Sequence, residues 1–111
     1  NYTEALKSFR DCARSKPRNP LLLHAALSGI AACLEQEGDF AGAGQQYAEI
    51  AARLPKEEYL ASASLMDAGR CFAEAGLAER ARNAYRKAVD DYPGGPLAPE
   101  AKAAISLLTA P

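Results

Sequence analysis

Apolar residues recur along this chain at intervals of three and four, the spacing that places them on one face of a helix. Three segments with this pattern, residues 5–17, 43–55 and 81–93, each end at a proline. No stretch of useful length alternates apolar and polar residues, so β-strands are not expected. The pattern therefore predicts an all-α fold. The expected helices span 3–16, 21–37, 41–53, 57–75, 79–91 and 96–109.

The three proline-terminated segments read "ALKSFRDCARSKP", "AGQQYAEIAARLP" and "ARNAYRKAVDDYP", and they stand 38 residues apart. A small residue four positions before an aromatic ring places both on one helix face, and proline then ends the helix because it lacks an N–H. A glycine allows a tight reversal between antiparallel helices. The equivalent positions are Ala5, Ala43 and Ala81; Phe9, Tyr47 and Tyr85; Pro17, Pro55 and Pro93; Leu27 and Leu65; Cys33 and Cys71; and Gly38 and Gly76.

Helix hairpins that recur at one spacing stack side by side into an α-solenoid. In each hairpin we name the first helix A and the second helix B. We expect residues 1–19 to form a half repeat with only the B helix, and residues 96–111 to form a terminal A-type helix. Residues 20–57 and 58–95 are expected to be complete repeats, so the whole chain is one array.

These residues resemble the tetratricopeptide repeat family, whose pattern runs W-x2-L-G-x2-Y, then A-x3-F, then P. The second half of the pattern is present three times, as the Ala, Phe/Tyr and Pro positions given above. The first half is present in degraded form as Leu65, Ala68, Gly69 and Phe72, and as Leu27, Ile30, Ala31 and Leu34. The family repeats every 34 residues, whereas this chain repeats every 38 residues. The four extra residues predict an A helix about one turn longer. The resemblance implies a right-handed superhelix and a non-catalytic scaffold for protein–protein interaction.

The segment "DDYPGGPLAPEAKAAI" is similar to bacterial cell-envelope members of that family, which carry YP-x-x-P-x-A-x-x-A. These members include the outer-membrane assembly lipoprotein, the coordinator that works with the Tol–Pal system and the ancillary translocon subunit. The similarity implies a periplasmic or membrane-anchored location. The cytoplasm stays open, because three cysteines without a pairing pattern are unusual in an oxidising compartment.

The resemblance places the binding surface on the concave face, which is lined mainly by A helices and holds a peptide or a partner's helix. The groove positions carried over to this sequence are Ser28, Gly29, Ala32, Glu35, Gln36, Ala63, Met66, Asp67, Arg70 and Glu74. For any one of these residues, simple exposure of a polar helix face explains the residue type better than a binding role does. As a set, the small residues beside Met66 and Arg70 predict a shallow groove.

An alternative role is structural self-association. The first expected helix has no A partner before it, and the last expected helix is apolar on most sides. Uncapped ends of a repeat array expose packing faces that favour association. The residues expected to carry it are Leu97, Ile105, Leu107 and Leu108.

Catalysis is not expected, because His24 is the only histidine and no acidic residue lies within one helical turn of it. The three cysteines lack a C-x-x-C spacing, so we expect free, packed thiols rather than a metal site or a disulfide. The 14 acidic and 13 basic residues leave a net charge of −1, which does not indicate nucleic acid as the partner. The longest apolar stretch, residues 20–34, is too short to cross a bilayer. No cofactor is implied.

Overall fold

A computed structural model describes residues 2–109 of the chain. Within that range the chain forms helices joined by short turns and contains no strand. The predicted helix bounds are confirmed to within two residues at every end. The helices are α1 (Tyr2–Arg14), α2 (Pro20–Gln36), α3 (Phe40–Arg53), α4 (Glu58–Glu74), α5 (Ala78–Asp91) and α6 (Ala98–Thr109). Positions 1, 110 and 111, which the predicted repeat boundaries include, lie outside the described residues.

Each helix packs mainly against the helices that precede and follow it in sequence. Successive helices therefore form antiparallel hairpins, and the array is elongated and thin, with extents of 42 × 30 × 16 Å. This is the predicted α-solenoid architecture, in which α2, α4 and α6 are the A helices and α1, α3 and α5 are the B helices. No helix in the described part of the chain combines the length and apolar character needed to cross a membrane.

Local sequence signals set the helix ends as expected. Gly38 and Gly76 adopt left-handed backbone angles, φ 84° and 79°, immediately after α2 and α4. Such angles are strained for residues that carry a Cβ, so glycine makes both reversals possible. At the start of α2, Pro20 occupies the first turn and the Asn19 side chain accepts a hydrogen bond of 2.9 Å from the Leu21 N–H. The B helices end two to three residues before their prolines.

Aromatic rings packed on glycines hold neighbouring helices close together. The Phe9 ring covers Gly29, the Phe72 ring covers Gly44 and the Tyr85 ring covers Gly69. A Cβ added to any of these glycines would lie within 2.4–2.7 Å of a ring carbon. The repeat pattern predicts that the ring of one helix lies over an alanine of the neighbouring helix, whereas the structure places glycines beneath these rings.

The repeated positions occupy similar places in the core. Ala43 and Ala81 are fully buried, and Tyr47 and Tyr85 are 8% and 7% exposed. Phe9 is less buried because α1 has only α2 as a close neighbour in the described structure. The cysteines are free, as predicted, with Cys33 and Cys71 buried and Cys12 half-buried.

The candidate interaction surfaces

Helix α4 presents two different surfaces. Leu65 and Phe72 are buried on one side, whereas Asp67, Arg70 and Glu74 lie on the roughly opposite side, since residues on a helix advance by about 100° each. The second side adjoins the exposed residues of α2. We call the surface formed by α2 residues 28–36 and α4 residues 63–74 the α2/α4 face.

The structure brings three of the predicted groove residues together at the centre of this face. Two guanidinium nitrogens of Arg70 donate to the two carboxylate oxygens of Glu35, at 2.7 and 3.3 Å. Arg70 also lies 3.7 Å from a carboxylate oxygen of Asp67. On the inner side, the Tyr47 hydroxyl donates a 2.8 Å hydrogen bond to Glu35. The Glu35–Arg70 pair therefore links the A helices of two successive repeats and ties them to the B helix between them.

The pKa values of the two carboxyl groups in this cluster are shifted in opposite directions. Hydrogen bonding from Arg70 lowers the pKa of Glu35 below its ordinary 4.5, against the opposing effect of burial. Burial raises the pKa of Asp67 above its ordinary 3.8, and Arg70 compensates only in part. Burial and the bond to Glu35 raise the pKa of Tyr47. Glu35 is thus the carboxylate that holds Arg70, and Asp67 is the less favourably placed of the two.

The other predicted groove residues have mixed environments. Ala32, Gln36 and Glu74 are exposed, and Met66 is half-buried because it packs against the core. The Ser28 hydroxyl donates to the backbone carbonyl of His24 in the same helix, at 2.7 Å. The residues that reach solvent on this face are therefore spread along both helices.

Gly29 does not belong to an open groove. The Phe9 ring covers it closely, so its small size serves the packing of α1 on α2. The expectation that Gly29 contributes to the groove is corrected on this ground. The sequence did not reveal it because the spacing of Phe9 from Gly29 lies outside any local motif.

The residues predicted for self-association separate into two groups on α6. Leu107 is 79% exposed. Ile105 and Leu108 are partly buried and pack against the core, and Leu97 is half-buried just before the helix. Leu107 is thus the member of the set that offers the most apolar surface to a second molecule.

A concave surface lies on the other side of α4, and the sequence did not predict it. It is a groove of about 610 Å³ between α3 and α5, and we call it the α3/α5 groove. Its floor contains Leu65 and Phe72 of α4. A comparison of equivalent positions would have indicated it. Ala48 and Ala52 line the groove, and the equivalent residues of α1, 38 positions earlier, are the larger Arg10 and Arg14.

The described residues offer no metal-binding group of three or more His, Cys, Asp or Glu side chains. Burial raises the pKa of the Cys71 thiol to about 11, so it is protonated and a poor nucleophile at neutral pH. His24 is half-buried on α2.

The fold and these surfaces define a class of protein: an α-solenoid of antiparallel helix hairpins. Within the chain, residues 63–95 match the family model of a tetratricopeptide repeat, which supports that family. The match runs through most of α4, all of α5 and the following turn. Tetratricopeptide repeats form a generally non-catalytic fold that mediates protein–protein interactions. No curated protein and no solved structure matches the chain significantly.

Proposed function

We propose that the chain is a non-catalytic scaffold that binds an extended peptide or a partner's helix along the α2/α4 face, which the resemblance to tetratricopeptide repeats implies is the concave face. The observation that carries the proposal is the bidentate Arg70–Glu35 pair, which joins α2 and α4 across that face. The pair fixes the relative position of two A helices while exposed residues on both remain accessible. A face built in this way is preorganised, which lowers the entropic cost of binding.

The charges of the face favour a basic partner. Glu35, Asp67 and Glu74 contribute three carboxylates, whereas Arg70 contributes one guanidinium that is already bound to Glu35. A partner segment with Lys or Arg side chains complements this surface. The exposed Ala32 allows a close approach of the partner's backbone, and Met66 provides an adaptable apolar contact.

Selection from a library of random dodecapeptides on the immobilised chain tests this proposal. Selected peptides are resynthesised with a fluorophore, and their affinities are measured by anisotropy. We expect basic peptides, and we expect Ala32→Trp and Glu74→Lys each to weaken binding by about tenfold, by steric blockage and by charge reversal. The matched controls are Ala103→Trp on α6 and Asp90→Lys on α5, both at exposed positions. If the controls weaken binding as much as the face variants, the α2/α4 site is wrong.

We also propose that the chain is part of a larger bacterial protein of the cell envelope. The support is the similarity of residues 92–101 to the envelope-type motif. Fractionation of cells that express the full-length protein, followed by immunoblotting, is expected to find it in the periplasmic or membrane fraction. Recovery in the cytoplasmic fraction alone would contradict this location.

Self-association through α6 is a second candidate function, favoured by the 79% exposure of Leu107. Under this proposal, light scattering shows a concentration-dependent increase in mass, and Leu107→Asp abolishes it. Leu21→Asp is the matched control, because Leu21 is also apolar and 65% exposed but lies in the first turn of α2, not on α6. A wild-type chain that stays monomeric at high concentration would rule this candidate out.

A further inference from the structure

The α3/α5 groove has two parallel walls and an apolar floor. Helices α3 and α5 are both antiparallel to α4, so they run in the same direction on either side of the groove. Leu65 and Phe72 form the floor, with Ala48 and Ala84 at the base of the walls. The volume of about 610 Å³ lies within the range of about 300–1,000 Å³ that is typical of sites for small ligands. The groove is therefore large enough for a few residues of an extended chain.

The rim of the groove carries side-chain amides. Gln45 and Gln46 belong to the α3 wall, and Asn83 belongs to the α5 wall. Each primary amide contains both a donor and an acceptor, which is the combination that a peptide backbone needs. Amides therefore line the groove on both walls. These groups favour a peptide over a purely apolar ligand.

The charges are unevenly distributed along the groove. Arg80 lies near the start of α5, with its guanidinium carbon 5.7 Å from the centre of the Phe72 ring. No carboxylate among residues 2–109 forms an ion pair with Arg80, whereas Lys87, about two turns further along α5, is paired with Asp91 at 2.8 Å. Glu49 lines the opposite wall at the register of Lys87. The Arg80 end is therefore positive, and its cation is available to a ligand.

We infer that the α3/α5 groove is a second binding site, which takes a short extended peptide with an apolar side chain on the Leu65–Phe72 floor and a carboxylate on Arg80. The site lies across α4 from the α2/α4 face, and it takes an acidic segment where that face takes a basic one. The existence of this site does not depend on the proposed function. The further conclusion that the array is a two-sided adaptor, which holds two segments of opposite charge at once, rests on the proposed function as well.

The test uses four labelled hexapeptides that differ at two positions separated by one residue, because alternate side chains of an extended chain point to the same side. The residues at these two positions are Phe and Asp, Phe and Lys, Ala and Asp, or Ala and Ala. Binding to the ¹⁵N-labelled chain is followed by amide chemical shifts. We expect the Phe–Asp peptide to shift resonances of residues 45–52 and 80–87 in a saturable way. Replacing Asp by Lys is expected to weaken binding by about fivefold, the worth of one exposed charge pair. Replacing Phe by Ala is expected to weaken it further.

Two variants assign the effect to the groove. Arg80→Gln is expected to lower affinity for the Phe–Asp peptide by about fivefold and to abolish the discrimination between Asp and Lys. Arg86→Gln is the matched control, since Arg86 is exposed on the same helix and does not line the groove. Equal binding of the Asp and Lys peptides to the wild-type chain would overturn the inference. So would shifts confined to α2 and the outer side of α4, or the absence of saturation at millimolar peptide.

Discussion

The α1–α3 layer and the α3–α5 layer share one repeat register but differ in how their space is filled. In the second layer, Phe72 rests on Gly44 and the walls beside it carry Ala48 and Ala52, which leaves the α3/α5 groove open. The equivalent positions of the first layer hold Leu34, Leu6, Arg10 and Arg14. These α1 side chains line a smaller concave surface of about 280 Å³, whereas the smaller side chains of the second layer accompany the groove of about 610 Å³.

The A helices show a second difference. Glu35 and Arg70 join α2 to α4. The residues at the equivalent positions of α4 and α6 are Ala73 and Leu108, which cannot form an ion pair. The ion-pair link therefore occurs at one junction, and apolar packing of α6 replaces it at the other.

The largest effect is expected at Ile50, which is fully buried in the central B helix. Ile50→Ala removes buried methyl groups and leaves a cavity, which costs about 2–4 kcal/mol in the free energy of unfolding. The equivalent residue in α1 is the half-buried Cys12, and Cys12→Ala is expected to cost less than about 1 kcal/mol. Urea unfolding measures both. Similar losses would show that the two layers are equally well packed.

The glycines under the aromatic rings are the next test. A Cβ at Gly69 would lie 2.4 Å from Tyr85, which is itself only 7% exposed, so Gly69→Ala is expected to lose about 1–3 kcal/mol through overpacking. Gly29→Ala meets the more exposed Phe9 ring, which has room to tilt, and is expected to lose less. Gly94→Ala, with nothing within 4 Å, is the neutral control. Thermal unfolding ranks the three variants, and an equal loss at Gly29 and Gly69 would contradict the difference.

Substitutions at the helix N-caps are expected to change stability by less than those at the glycines, and the effect differs between equivalent caps. The Asp39 side chain accepts a 2.9 Å hydrogen bond from the Gly42 N–H, so Asp39→Ala is expected to cost about 1 kcal/mol. Asn19 caps α2, but the equivalent Glu57 makes no side-chain cap bond at α4. Glu57→Asn is therefore expected to stabilise the chain by about 0.5–1 kcal/mol in urea unfolding. A loss of stability in that variant would show that the α4 terminus does not accept an α2-type cap.

The sequence alone predicted the helices, the antiparallel hairpins and the buried positions of Tyr47 and Tyr85. These features follow from hydrophobic periodicity and from proline and glycine positions, which are local signals. It did not predict which small residues lie beneath the rings. The Phe9–Gly29 contact joins separate helices and depends on their crossing geometry. The same limit hid the Glu35–Arg70 pair, since each residue by itself fits an exposed helix face.

The α3/α5 groove was missed for a different reason. Its walls are built from alanines and amides whose types are unremarkable in any helix, and only their register relation to Arg10 and Arg14 distinguishes them. A comparison of the repeats residue by residue, rather than of their shared motif, is what reveals such a surface. The differences between repeats indicate binding sites, whereas the shared positions indicate the fold.

The smallest expected effect concerns the single ion-pair junction. Because the folded-state pKa of Glu35 is lowered, its contribution is present above its ordinary pKa of 4.5 and is lost as the pH falls through the lower folded value. Glu35→Gln is therefore expected to cost about 0.5–1 kcal/mol at pH 7, and this difference should vanish in strong acid. The pH-dependent contribution of Asp67 to stability has the opposite sign, because its raised pKa favours the protonated form in the folded chain.

Asp67→Asn is accordingly expected to leave stability at pH 7 unchanged or slightly higher, which separates the two carboxylates on either side of Arg70. Glu74→Gln, which removes an exposed carboxylate from the same helix, is the matched control. Urea midpoints between pH 2.5 and pH 7 measure all three variants against the wild type. If Asp67→Asn destabilised the chain as much as Glu35→Gln, Arg70 would be shared equally between the carboxylates, and the link between α2 and α4 would no longer rest on Glu35.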